Sequence, residues 1–239
     1  MHRLLVETTL LSEESPVLPK DAANHLKVLR PKAGEEVELF DGKGRWRVYS
    51  WENGLHSNRT IEQSEQSNNS LTLFACVTKG SRWDWTIEKA TELGVSRIVP
   101  VISDRTIVRI AKAERAAKRE RWMRIAEDAA RQPDAKWLPE IVEAVDFRDA
   151  LALVKNTTCF VGALTTPPPE PLAKAVAKAE HATDGSGELA TFVGPEGDFT
   201  PEELAALLEI ATPTSFGPTI LRAETAAIFA VSVLAALRN

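Results

Sequence analysis

Residues 192–203 read Phe192-Val193-Gly194-Pro195-Glu196-Gly197-Asp198-Phe199-Thr200-Pro201-Glu202-Glu203, and this stretch decides the fold class. Just upstream, 189–193 is a short apolar run of the kind that forms a buried strand. Downstream, Thr200 is placed as an N-cap, Pro201 takes the first helical position and Glu203 completes a capping box. The loop between them therefore joins a strand end to a helix start. In a parallel sheet such loops gather at the carboxyl edge, where ligands bind. Gly194 and Gly197 have no side chains, so main-chain amides there can approach a ligand. Glu196 can accept hydrogen bonds from ligand hydroxyls. The same residues also suit a tight turn that binds nothing.

The strand-then-helix grammar extends in both directions. Strands are expected at 71–77, 95–102 and 158–164, and helices at 84–93, 114–131 and 224–238. Trp85, Ile87, Ala90 and Leu93 supply the apolar face of the first of these helices, with Gly94 at its end and Asp84 a candidate cap. Alternating strands and helices define an α/β domain with a largely parallel sheet. Residues 1–62 read differently. Strands at 37–40 and 45–51 flank the turn Asp41-Gly42-Lys43-Gly44, and 22–29 is one short helix closed by Pro31. The stretch 63–70 contains no apolar residue and serves as a linker or a long hairpin tip. This gives two domains, 1–70 and 71–239.

Composition narrows the class. With 44% hydrophobic and 26% charged residues among 239, the chain is neither disordered nor fibrous. Cys76 and Cys159 lie in apolar runs without C-x-x-C spacing and read as buried free thiols. Residues 226–237 are too few for a membrane span, and without a basic start followed by an apolar stretch no signal peptide is expected. A cytoplasmic protein is expected. The net charge of −5 is uneven: −2 over 1–70, +5 over 71–136 and −8 over 137–239. A basic middle in an acidic chain points to local contact with an anionic partner, or to a solvated helix face.

Several chemistries lack their motifs. No G-x-G-x-x-G, P-loop, H-E-x-x-H or G-x-S-x-G occurs, and the four histidines are scattered, so no metal site is expected. Three further segments carry polar groups. Phe216-Gly217-Pro218-Thr219-Ile220-Leu221-Arg222-Ala223-Glu224 leads into the last helix, where Arg222 and Glu224 either act chemically or form a local ion pair. Lys79 and Arg82 occupy another strand-to-helix loop. Arg105, Arg109, Lys112, Arg115 and Arg119 share one face if their stretch is helical. Lys43, Arg45 and Arg47, spaced by two, share one strand face. Arg30 lies close by, and such side chains neutralise phosphates.

Taken together, Lys79-Gly80 with Trp85, Lys89-Ala90-Thr91-Glu92-Leu93-Gly94-Val95, Gly194-Pro195-Glu196-Gly197 and Ile220-Leu221-Arg222-Ala223-Glu224-Thr225-Ala226 resemble the bacterial 16S rRNA uracil-N3 methyltransferases. These belong to the SPOUT, or α/β-knot, superfamily. His25-Leu26-Lys27-Val28-Leu29-Arg30 with Gly34 resembles their N-terminal domain, so the likeness spans nearly the whole chain. It implies a PUA-like RNA-binding β-barrel and a SPOUT α/β domain with a C-terminal trefoil knot. It implies S-adenosylmethionine as methyl donor, 16S rRNA in the assembled small subunit as substrate, and a homodimer. By resemblance, Leu164, Thr165, Gly194, Glu196, Gly197, Phe216, Gly217, Ile220 and Leu221 line the cofactor pocket.

Within that reading Arg222 is the expected catalytic donor and Glu224 its weaker companion. Arg30, Lys43, Arg45, Arg47, Lys79, Arg82, Arg105 and Arg109 are the expected RNA contacts. The chain departs from the family pattern at Asp198, where a second Gly is frequent, and at Thr219, where Arg is frequent. The family's Gln-Ser-x-Arg becomes Gln132-Pro133-Asp134-Ala135, followed by Lys136. A rival reading is a catalytically silent RNA-binding or ribosome-assembly protein on the same scaffold. Another is a generic α/β enzyme with a nucleotide cofactor.

Overall fold

The computed structural model describes residues 1–66, 70–131, 135–155, 157–182 and 187–237. Residues 67–69 of the 63–70 stretch and Gln132-Pro133-Asp134 of the family-pattern departure lie outside the described residues. The chain folds into two compact units, Met1–Gln66 with Glu127–Leu138, and Ser67–Ala126 with Pro139–Asn239.

The first unit contains β1 (His2–Leu5), α1 (Lys20–Leu29), β2 (Glu36–Phe40), β3 (Arg45–Trp51), β4 (Leu55–His56) and β5 (Glu62–Gln63). Its sheet runs β1-β2-β3-β4, with β5 also on β3. β1 is parallel to β2, and the other pairs are antiparallel. The expected turn joins β2 to β3. Asp41 Oδ1 accepts from the Lys43 and Arg45 amides at 2.8 and 3.0 Å, while Gly42 and Gly44 adopt φ of 68° and 88°. Leu4, Leu11, Leu26, Leu39 and Tyr49 lie in the core.

A buried ion network ties the returning segment to this sheet. Arg3 Nε donates to Glu38 Oε1 at 2.8 Å, and Lys136 Nζ donates to both Glu38 oxygens at 2.8 and 2.7 Å. Lys136 also stands over the Trp46 ring at 4.6 Å. Arg3 Nη2 donates to the Ala135 carbonyl at 2.7 Å, and the Trp137 indole to Ser64 Oγ at 3.0 Å. Lys136, beside the family-pattern departure, thus has a structural position.

One expectation fails here. Arg47 does not share an exposed face with Lys43 and Arg45. It is 7% exposed and donates to the carbonyls of Leu11, Glu13 and Ser57 at 3.1–3.2 Å. Lys43 lies in the turn before the strand begins, so the two-residue spacing does not place it on the β3 face.

The second unit contains β6 (Leu71–Cys76), α2 (Ser81–Glu92), β7 (Arg97–Ile102), α3 (Lys112–Ala129), β8 (Glu140–Ile141), β9 (Val145–Asp146) and α4 (Phe147–Ala152). It continues through β10 (Thr157–Gly162), α5 (Leu172–Ala182), β11 (Glu188–Val193), α6 (Pro201–Leu208), β12 (Thr212–Thr214) and α7 (Ala223–Ala236). The strand order is β12-β10-β11-β6-β7-β8, with β9 also on β7, and every pair is parallel. Strand side chains alternate between two cores. Leu71, Leu73, Ala75 and Phe160 pack with α2, α3, α5 and α7. Phe74, Cys76, Val161 and Phe192 pack with α4 and α6. This is an α/β sheet covered on both faces.

Three local readings change. α2 begins at Ser81, with Gly80 as N-cap at φ 67°, so Asp84 is inside the helix and pairs bidentately with Arg121 at 2.7 and 2.5 Å. Trp85 is 40% exposed, and Trp83 fills the core instead, edge-on to Trp122. Trp83 precedes Ile87 by one turn, whereas Trp85 sits roughly 200° around the helix from it. Arg105 and Arg109 precede α3, which breaks the five-residue basic stripe.

Candidate active site

A cavity of about 320 Å³ opens where β10, β11 and β12 end. Its lining comes from 162–164, 193–196 with Asp198, 215–217, and 219–223 with Ala226 of α7. Three neighbouring parallel strands thus present their carboxyl-end loops to one space, the usual ligand position of an open α/β sheet. Leu164, Gly194, Glu196, Phe216, Gly217, Ile220 and Leu221 all line it, as does Arg222. Leu164 and Ile220 are 64% and 80% exposed. Apolar groups held open to water beside glycines suit a flat, partly apolar ligand.

Close approach shapes one wall. A Cβ on Gly162 would lie 2.5 Å from Phe216 Cε2, so the ring packs directly on the bare Gly162 backbone. Phe216 also meets Phe229 of α7 at 5.9 Å between ring centroids. Gly162 is absent from the sequence-based site because nothing near it in the chain announces Phe216.

The 194–199 loop is held by its own hydrogen bonds. Asp198 N donates to the Pro195 carbonyl at 2.9 Å, and Asp198 Oδ1 accepts from Phe199 N at 2.8 Å. Asp198 has φ 58°, a left-handed conformation that glycine adopts freely and aspartate tolerates. The aspartate therefore keeps the loop geometry that a glycine would give. Arg105 Nη1 donates to the Gly197 and Phe199 carbonyls at 2.9 and 3.3 Å. Arg82 Nη1 reaches Glu196 Oε1 at 3.1 Å.

Not every expected residue faces the cavity. Gly197 does not line it, and a Cβ there would meet only Arg105 at 3.6 Å, an ordinary contact. Thr165 does not line it either, and its hydroxyl donates to the Pro167 carbonyl at 2.9 Å. Arg109 binds the Ser103 and Asp104 carbonyls. Arg30, Lys43, Arg45 and Lys79 are exposed.

Arg222 is the N-cap residue of α7, exposed at the rim. Glu224 is 8% exposed, does not line the cavity, and its Oε2 has no hydrogen-bond partner among the described residues. Arg222 and Glu224 do not pair, so the local ion-pair reading of this segment fails.

Fold and site together define an α/β enzyme of the kind that binds a small molecule beyond the carboxyl ends of its strands. Residues 65–235 match the RNA methyltransferase domain family, and 18–49 match the RNA methyltransferase PUA domain. The chain belongs to the RNA methyltransferase domain family. It is 27% identical to ribosomal RNA small subunit methyltransferase E of Bacillus subtilis, covering 98% of this chain and 96% of that one. Its Synechocystis counterpart is 28% identical over 99% of this chain and 78% of that one. Among solved structures, the Neisseria gonorrhoeae ribosomal RNA small subunit methyltransferase E bound to S-adenosyl methionine is 28% identical, with a TM-score of 0.78. That match covers 97% of this chain and 95% of that one. A putative methyltransferase of Legionella pneumophila with bound cofactor SAM gives 26% and 0.76, covering 98% and 96%.

Among the described residues no group of three or more His, Cys, Asp or Glu is placed to hold a metal, and no helix is long and apolar enough to cross a membrane.

Proposed function

We propose that this chain is an S-adenosylmethionine-dependent methyltransferase acting on N3 of a uridine in small-subunit ribosomal RNA. The observation that carries this reading is the cavity of 162–164, 193–196 with Asp198, 215–217 and 219–223, in a chain that shares its fold end to end with a relative bound to that cofactor. The residues present fit the cofactor. Leu164, Ile220 and Leu221 offer apolar surface for a purine ring, glycines at 194 and 217 leave backbone accessible, and Glu196 offers a carboxylate for ribose hydroxyls. When bound, S-adenosylmethionine supplies an electrophilic methyl group with its own leaving group.

The chain's residues have to manage the uracil. Methylation at N3 requires loss of the N3 proton to solvent water, and the resulting charge spreads over the flanking O2 and O4. Arg222, at the cavity rim and unpaired with Glu224, donates to those oxygens; its planar fork binds two acceptors at once. Arg82 orients Glu196 through their ion pair. Arg105 fixes the 194–199 loop through two carbonyls, so its role is positioning rather than phosphate contact. RNA contact falls to Arg30, Lys43, Arg45 and Lys79, whose side chains are exposed.

Three finer features belong to the same reading. The first unit is a PUA-like barrel, supported by its five-stranded mixed sheet and the PUA match. The C-terminal segment forms a trefoil knot, supported by α7 packing on β6 and β11 at the sheet centre although β12 ends at its edge. The protein is a homodimer, supported by the exposed Phe229 and Leu237 of the otherwise apolar last-helix segment; the assembled subunit as substrate rests on the family resemblance alone. The silent-scaffold alternative gains nothing from an open, glycine-walled cavity.

The test is methyl transfer from labelled S-adenosylmethionine to 16S rRNA and to small subunits lacking the modification, with nucleoside mass analysis. N3-methyluridine at one position is expected. Cofactor binding without any methyl incorporation in either substrate would overturn the reading.

A further inference from the structure

The first unit holds a second concavity, of about 380 Å³, whose walls include Val17, Leu18, Leu55 and Trp51. Lys27 and Arg30, one turn apart at the end of α1, stand among the lining residues, and no acidic residue does. No hydrogen bond or ion pair engages either cationic side chain among the described residues. Val17 is 84% exposed, although the core of this unit buries Leu11, Leu26 and Leu55 beside it. An exposed apolar side chain, an aromatic ring and two cations without partners among the described residues thus line one groove.

We infer that this groove binds one unpaired nucleotide of the ribosomal RNA, with the base against Val17, Leu18 and Trp51 and its phosphate on Lys27 and Arg30. Sequence-tolerant binding of single-stranded RNA combines these two elements, an aromatic surface for a base and cations for the backbone. At about 380 Å³ the groove has the size of a small-molecule site rather than of an extended protein interface. Charge also favours the nucleotide: Lys27 and Arg30 have no carboxylate within the groove to answer them. The inference rests on the RNA methyltransferase reading, and it places a substrate contact on a unit that holds no part of the methyl-transfer cavity.

The experiment uses the full chain and a variant expected to fold, Val17→Glu, which adds a carboxylate at an exposed position. Affinity for a mixed-sequence single-stranded RNA 12-mer is measured together with cofactor binding by calorimetry, melting, and methylation of 16S rRNA. The variant should bind the oligonucleotide roughly tenfold more weakly, since stacking of one base contributes on that order. Cofactor affinity and melting should not move. Lys27→Ala/Arg30→Ala should flatten the log–log salt dependence by roughly 0.7, the contribution of the one phosphate the two side chains share. Photo-crosslinking with 4-thiouridine in the oligonucleotide should label peptides containing 16–18 or Trp51. Unchanged affinity and slope in both variants, while the parent methylates rRNA, would overturn the groove and leave the enzymatic reading intact. A change of oligomeric state in Val17→Glu without loss of RNA affinity would also overturn it, assigning the groove to a second copy. A parent protein that binds the oligonucleotide through this groove but never methylates RNA would instead overturn the enzymatic reading.

Discussion

At the residue scale the site depends on single atoms. Arg222 offers two donors in a fixed plane, and Arg222→Lys keeps the charge but loses the fork. Turnover should fall by roughly 10²-fold or more, the scale seen when one transition-state donor is removed, with melting and cofactor binding near normal. A variant that unfolds readily but turns over normally per folded molecule would make Arg222 structural. Gly162 is a second such point. Any side chain there meets the Phe216 ring at 2.5 Å, so Gly162→Val must push that ring from the cavity wall. Calorimetry should show cofactor affinity falling at least tenfold. By the same geometry Gly197→Val, which faces Arg105, should disturb cofactor binding far less. The thiols behave oppositely to a reactive site. Burial pushes Cys76 and Cys159 up to about 12. The unfolded chain releases these protons near pH 9 and the native one holds them, so between about pH 9 and 12 their contribution to stability declines. Below pH 9 neither state loses a proton and the contribution is flat. A thiol reagent at pH 8 should modify the native protein only as it unfolds; rapid stoichiometric labelling would contradict this.

Among the elements, α6 shows how a local signal is reinforced by tertiary contact. Thr200 accepts from Glu203 N at 3.2 Å and Glu203 Oε2 from Thr200 N at 3.0 Å, the reciprocal bonds of a capping box. Glu203 Oε1 also accepts from Asp104 N at 2.9 Å, a bond that no capping rule anticipates. Thr200→Ala should therefore cost about 1 kcal/mol. Glu203→Ala should cost about 2–3 kcal/mol, because two amides lose a charged acceptor. Urea unfolding of both variants separates the two effects. Equal costs would mean that the Asp104 bond adds nothing. The last helix teaches the reverse lesson. Its apolar residues run around most of its circumference, yet the fold covers Ala226, Ala227, Ala230, Val231 and Leu234 and leaves Phe229 38% exposed.

For the molecule as a whole, the returning segment matters most. Glu38 is 1% exposed and is the shared acceptor of Arg3 and Lys136. Glu38→Ala would remove the buried carboxylate that both cations share, a loss of about 3–5 kcal/mol when one partner of a buried pair is deleted. Guanidinium unfolding followed through Trp46, which lies under Lys136, should show the first unit melting earlier. A shift of less than about 1 kcal/mol would place the network in the weak, surface-like class. Light scattering at micromolar concentration tests the proposed homodimer, and a monomer mass would refute it.

By itself the sequence determined the elements whose signals are local. The Asp41–Gly44 turn, the capping box at Thr200, the parallel α/β grammar and the loop Gly194–Gly197 all declare themselves over a few residues, because turn geometry, capping and side-chain period act over short separations. The cavity lining at Leu164, Phe216, Gly217, Ile220 and Leu221 came from the family resemblance of whole motifs, whereas Glu196 was also legible from its place in a strand-to-helix loop. Tertiary structure alone decided the rest. Arg47 looked like a free cation because spacing shows which face a residue takes but not what covers that face. Gly162 became part of the site only through Phe216, more than fifty residues away in sequence. Likewise Glu127–Leu138 joined the first unit through contacts with distant residues such as Arg3, Glu38 and Ser64. Contacts between distant segments depend on how two surfaces meet in space, and no local pattern of side chains encodes that meeting.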